Sequence, residues 1–141
     1  MKLSKNFSLL EFTRSRTADR LEIDNTPSAE VIENLKRTAE GMQKIRKVLG
    51  DQPIRITSGY RCYDLNKAVG GVPRSDHLTG SACDFQCNNF GNCRRIYEVL
   101  CESNIVFNQL ILEHDTWIHV SFTDNPKNEK FEITKKGRVY G

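Results

Sequence analysis

Nothing in this chain is apolar for long enough to cross a membrane, and Met1-Lys2-Leu3-Ser4-Lys5-Asn6 leads into no apolar run of the kind a secretory leader carries. The expectation is a protein made in the cytoplasm without a signal peptide and with no membrane partner. Repeats, low-complexity tracts and linkers are also missing. The 141 residues therefore read as a single domain, 1–141, long enough to bury a core without disulfide staples. Charge of one sign is not in large excess, with 21 Lys and Arg against 18 Asp and Glu, net +3. No basic run with interleaved aromatics marks a nucleic-acid binder, so no nucleic acid is expected as a partner. The mild positive balance is still compatible with an anionic polymer. Cys62, Cys83, Cys87, Cys93 and Cys101 are odd in number, which excludes a complete internal disulfide framework and makes reduced thiols the expectation. The spacings within Cys83, Cys87 and Cys93 lack the tight Cys-x-x-Cys knuckle of structural zinc sites.

What is present reads as an α+β chain: a small, mostly antiparallel sheet flanked by helices. Ser8-Leu9-Leu10-Glu11 has the form of a capping box with Phe7 before it, and predicts a short helix. Thr13 to Asn25 is charged and aperiodic, and reads as an irregular connection bordering the cleft. Thr26-Pro27 signals the start of a helix whose apolar positions Val31, Ile32, Leu35, Ala39, Met42, Ile45 and Val48 recur at helical spacing up to a C-terminal Gly50. Ile54 to Thr57 alternates as a strand, Tyr63 to Val69 makes two helical turns, and Ala82 to Gln86 makes a second strand. Asn92 to Ser103 predicts another packing helix. Gln109–Glu113 and Trp117–Phe122 form a hairpin about His114-Asp115-Thr116, and Phe131 to Thr134 adds an edge strand.

Histidine is scarce, three in all, and two of them stand in telling places. His77 and Asp84 lie seven positions apart across a loop of small residues, and read as half of a metal site. His119 sits in Trp117-Ile118-His119-Val120-Ser121, a strand that would hold it rigidly. Two nitrogens and one oxygen leave a fourth tetrahedral position open, as in a catalytic Zn²⁺ site. Hydrolysis would also need a carboxylate in reach as general base. Two qualify: Glu113, six residues before His119, and Asp115, four before it.

The spacing Ser75-x-His77-x-x-Gly80-x-Ala82-x-Asp84, the later Trp117-Ile118-His119-Val120-Ser121, and upstream Ser58-Gly59-Tyr60-Arg61, Asn66 and Val69-Gly70-Gly71 together resemble the M15 family of zinc D-alanyl-D-alanine peptidases, in particular its small phage and prophage members. The resemblance runs from about residue 6 to residue 122. It implies Zn²⁺ on His77, Asp84 and His119, and Arg61 binding the substrate carboxylate. Ser75 would orient the loop or the substrate, and Asn66 and Gly71 would shape the loop. Many members place the acid three residues before the last histidine, where this chain has Thr116. The small phage members and the related zinc site of the hedgehog signalling domain place a glutamate at the spacing of Glu113, so Glu113 is preferred to Asp115 as the base. Trp117 lines the cleft or packs, and His114 is an exposed turn residue. The implied function is a monomeric zinc peptidase cutting peptidoglycan stem peptides, as a D-Ala-D-Ala carboxypeptidase or an L-Ala-D-Glu endopeptidase, in phage-type wall lysis or on a virion. The competing expectation is a non-catalytic zinc-containing module that binds peptidoglycan or peptide.

Overall fold

Six strands of one mixed sheet carry the architecture of the computed structural model, which describes residues 1–139; residues 140–141 of the expected domain lie outside the described residues. In chain order the elements are β1 (Lys2–Ser4), β2 (Phe7–Ser8), α1 (Leu9–Thr13), α2 (Arg16–Leu21), α3 (Ala29–Val48), β3 (Arg55–Ser58) and α4 (Tyr63–Ala68). A 3₁₀ turn (Asp76–Thr79) then precedes β4 (Ala82–Gln86), α5 (Cys93–Cys101), β5 (Gln109–Glu113), β6 (Trp117–Ser121), β7 (Glu129–Thr134) and β8 (Gly137–Val139). The large sheet runs β3-β4-β6-β5-β7-β8, antiparallel throughout except for the parallel pair β5–β7. The α+β expectation holds. Among the described residues no helix is long and apolar enough to cross a membrane.

Alternation along the central strands gives the sheet two unlike faces. Cys83 and Phe85 of β4, Leu110 and Leu112 of β5, and Ile118 and Val120 of β6 point to one side and are buried. Against them pack Leu35, Met42 and Ile45 of α3 with Ile96 and Leu100 of α5. Burying each such side chain contributes about 1.5–3 kcal/mol, which makes this face the main source of stability. The other face carries Asp84, Glu113, Trp117 and His119.

Several local expectations are corrected. The segment 13–25 contains α2: Ser15 Oγ accepts from Ala18 N–H at 3.1 Å, and Glu22 closes the helix in the left-handed region at φ 56°. With Ala18 as its one buried residue, α2 leaves no apolar period to read. The long helix begins at Ala29 rather than at Thr26-Pro27, because Thr26 N–H and Oγ1 are both taken by Asp24 Oδ1 at 3.0 and 2.6 Å, and Ser28 Oγ caps Val31 N–H instead. The strand expected at the edge is covered: β7 lies between β5 and β8. At the N-terminus β1 and β2 form an unforeseen two-stranded sheet. The expected capping box at Ser8 is present, with Ser8 N–H donating to Glu11 Oε1 at 2.9 Å.

Gly59 ends β3 where two backbones meet. Tyr60 N–H donates to Phe12 O at 2.6 Å, and a Cβ on Gly59 would collide with the backbone of Phe12. Gly59→Ala should cost about 1–3 kcal/mol, the range for overpacking a tight contact. Urea denaturation checks this, and an unchanged midpoint would show that α1 is free to move away.

Candidate active site

Sheet register delivers the first two groups. Asp84 on β4 and His119 on β6 are directly opposed in the antiparallel pair, so their side chains leave the sheet on the same face. Two pairs further along, Glu113 of β5 stands opposite Trp117 of β6 and shares that face. His77 arrives from the 3₁₀ turn, which starts with Ser75 Oγ accepting from His77 N–H at 3.1 Å. Gly80 ends the turn at φ 81°, a conformation that favours glycine, and Thr38 of α3 donates its hydroxyl to Gly80 O at 2.7 Å.

His77, Asp84 and His119 each bring one ligand atom to within 4.8 Å of the others. Asp84 Oδ1 is 3.0 Å from His119 Nδ1 and 3.4 Å from His77 Nε2. Two metal–ligand bonds of about 2.0–2.2 Å can bridge such separations. Because the carbonyl of Gly59 can only accept, His77 Nδ1 is the N–H that donates to it, at 2.6 Å, and this leaves Nε2 as the atom facing Asp84. His77 is 2 % exposed and His119 is 9 %. Burial by itself would raise the Asp84 carboxyl, but bonds from His119 and His77 outweigh it and hold the group well below the usual carboxylate range. An ionised oxygen and an oriented imidazole in a dry setting fit a divalent ion with a taste for nitrogen and oxygen. Among the described residues this is the one cluster of its kind, and none of the cysteines joins it.

Above the cluster lies a cleft of about 570 Å³ lined also by Arg61, Ser75, Glu113 and Trp117. Arg61 is held at three points of its backbone neighbourhood. Its own N–H donates to His77 O at 3.0 Å, while Asn25 Nδ2 donates to Tyr60 O at 3.0 Å and Asn25 Oδ1 accepts from Cys62 N–H at 2.8 Å. Its Nε is buried without a partner among the described residues. Burial lowers the guanidinium from its ordinary value, while Asp84 and Glu113 push it back up, which places all three in one electrostatic neighbourhood.

The two candidate bases are separated by the hairpin. Glu113 lines the cleft, whereas Asp115 is exposed and pairs with Arg94 Nε at 2.9 Å, outside the residues that line it. Trp117 lines the cleft, and His114 is an exposed turn residue with its ring 6.3 Å from that of Trp117. Asn66 Nδ2 donates to Val72 O at 2.9 Å and its side chain fills the space where a Cβ on Gly71 would sit, so both shape the loop.

Three features of the site carried no signal of their role in the sequence. The Gly59 carbonyl that orients His77 is a backbone atom, invisible to residue type. Asn25 lies in a segment without period, and its role emerges only once the chain returns to bring Tyr60 and Cys62 beside it. A third, Asn108, donates from Nδ2 to Asp76 Oδ2 at 3.2 Å and to Ser121 Oγ at 3.3 Å at the edge of the cleft. It stands just before β5, in a stretch whose resemblance to the small phage members singled out Glu113 and gave Asn108 no role.

A family model for peptidase M15 matches residues 5–121. A zinc D-Ala-D-Ala carboxypeptidase of Streptomyces albus G is 36% identical over 52 residues, which is 37% of this chain and 20% of that protein. The match thus spans far less than two thirds of the relative's length.

Titrating the metal-free protein with Zn²⁺ should raise its Tm, by the equivalent of about 2.7 kcal/mol at a hundredfold excess over Kd. Asp84→Ala should abolish the rise. An undiminished shift in that variant would place the ion elsewhere.

Proposed function

The chain belongs to the peptidase M15 family, and on that footing we propose that it is a zinc-dependent peptidase that cuts the peptide stems of bacterial peptidoglycan, at D-Ala-D-Ala or at L-Ala-D-Glu. The observation that carries the proposal is the convergence, in one cleft, of the His77–Asp84–His119 cluster, the Glu113 carboxylate and the Arg61 guanidinium. The name of the Streptomyces relative supports both the metal and the substrate class. The upstream motifs shared with small phage members support a wall-lytic role, released or carried as those enzymes are.

His77, Asp84 and His119 would hold the ion. When bound, Zn²⁺ supplies Lewis-acid polarisation of the scissile carbonyl and activation of a water. Arg61 grips the α-carboxylate of the residue after the cut bond with a forked pair of hydrogen bonds, and its pinned backbone fixes where that carboxylate sits. Both candidate bonds present such a group, because D-Glu continues the stem through its side chain. Held this way, the substrate lies with its scissile amide over the cluster and within the field of Glu113. Glu113 accepts the proton of the attacking water and returns it to the leaving amine. Ser75 acts at one remove, through the His77 N–H that it accepts. Asp115, engaged with Arg94, keeps the turn in place and takes no proton.

Glu113→Gln preserves shape and cannot accept a proton, so turnover of a stem peptide should fall by at least about 10²-fold at unchanged zinc content. Asp115→Asn should keep most of the activity. The reverse pattern would move the base to Asp115. Arg61→Ala should lower kcat/KM by the equivalent of about 1.5–3 kcal/mol, the range for a hydrogen bond to a charged group. Undiminished cleavage by that variant would remove Arg61 from substrate binding.

A further inference from the structure

Arg61 and Val69 also line a second groove of about 790 Å³, whose floor is β3 and whose wall is the segment Arg14–Asp19 leading into α2. At this end of the sheet β3 is the outermost strand. The groove is cationic: Arg14, Arg16 and Arg55 line it together with Arg61, against the single carboxylate of Asp19. Arg14, Arg16 and Arg55 are exposed and make no side-chain hydrogen bond or ion pair among the described residues. Arg37 is bound to Asp124 and Arg94 to Asp115 and Glu132, while Arg20, Arg74 and Arg95 are exposed without such partners among the described residues but do not line this groove, so what sets it apart is three unpaired arginines in one concavity. Three guanidinium forks without protein partners among the described residues, lining one concavity next to the cleft, are arranged to take anions from a ligand.

We propose that this groove is a second binding subsite, for a carboxylate-bearing peptide segment that continues beyond the residue held at Arg61. The inference rests on the reading of Arg61 as the carboxylate anchor. A substrate that ended at that carboxylate would leave the groove empty. One whose anchored residue carries the chain onward through its side chain would lay further carboxylates among Arg14, Arg16 and Arg55. The cut then falls inside a peptide rather than at its end. Contacts of this exposed kind are each weak and screened by salt, so the subsite acts as a preference of about tenfold when three combine.

The test uses the zinc-loaded full chain and two synthetic peptides that share the scissile bond and the anchored residue. One continues from that residue's side chain by two glutamates, the other by two glutamines. In the parent, kcat/KM should be about tenfold higher for the glutamate peptide, and the advantage should shrink as salt is raised. The ratio should fall close to one in Arg14→Ala/Arg16→Ala/Arg55→Ala and be largely kept when the three are replaced by lysine. Because the readout is a ratio within each variant, a general loss of activity does not imitate it. A parent ratio near one, or a ratio unchanged in the alanine variant, overturns the subsite. So does inhibition by polyphosphate that depends on the three arginines while the peptide ratio does not, since the groove then belongs to a phosphate polymer. If neither peptide is cut, the peptidase reading has failed separately, and binding of the same peptides carrying a fluorophore decides: tighter binding of the glutamate peptide, lost in the alanine variant, keeps the subsite, and equal binding of the two removes it.

Discussion

The antiparallel register between β4 and β6 is the constraint on which the site depends. It sets Asp84 directly across from His119, and the same register across β6 and β5 sets Glu113 across from Trp117. Side chains alternate with period two, so a slip of one residue would send Asp84 into the core and bring Cys83 or Phe85 into the cleft. That slip is blocked by hydrophobic burial on the opposite face, where Cys83, Phe85, Ile118 and Val120 are fully buried. The energy that folds the protein and the geometry that assembles its polar cluster are therefore two faces of one sheet. This explains how an ionised aspartate and two nearly buried imidazoles are sustained at an interior position: the apolar face supplies the stability that their desolvation opposes.

Groups that do not come from the sheet are fixed by backbone contacts instead. His77 belongs to a 3₁₀ turn, and it is aimed by the Gly59 carbonyl on one side and capped by Ser75 on the other. Arg61 belongs to the loop after β3, which Asn25 holds through Tyr60 O and Cys62 N–H. The Arg61 N–H also bonds to His77 O, so the proposed carboxylate anchor and the candidate ligand residue are tied to each other. A substrate carboxylate bound at Arg61 is thereby placed at a set position relative to the cluster, which is the positioning that converts binding into rate.

How far the sequence reveals this depends on the range of the interaction. Strands β4, β5 and β6 were legible because their alternation is local, and the separation of His77, Asp84 and His119 along the chain carried the family resemblance. Helix α3 was legible in its body and misplaced at its start, because Asp24 competes for Thr26 and hands the cap to Ser28. Helix α2 was not legible, having one buried residue and no period. The parallel pairing of β7 with β5 was hidden because it joins segments separated by the whole of β6 and the loop after it. Within the site, only the family resemblance separated Glu113 from Asp115 in the sequence, and it preferred Glu113. They differ in the structure because the turn residues His114 and Asp115 take positive φ, 53° and 54°, and swing Asp115 toward Arg94 while Glu113 stays on the strand.

On the proposed reading, this cleft hydrolyses stem peptides with a zinc ion held by His77, Asp84 and His119. Mass analysis of muropeptides, released from purified peptidoglycan after incubation with the zinc-loaded protein and with the metal-stripped protein, decides it. Shortened or split stems are expected with the zinc-loaded protein, and intact stems with the stripped one. Intact stems in both samples, with zinc shown to be bound, would contradict it.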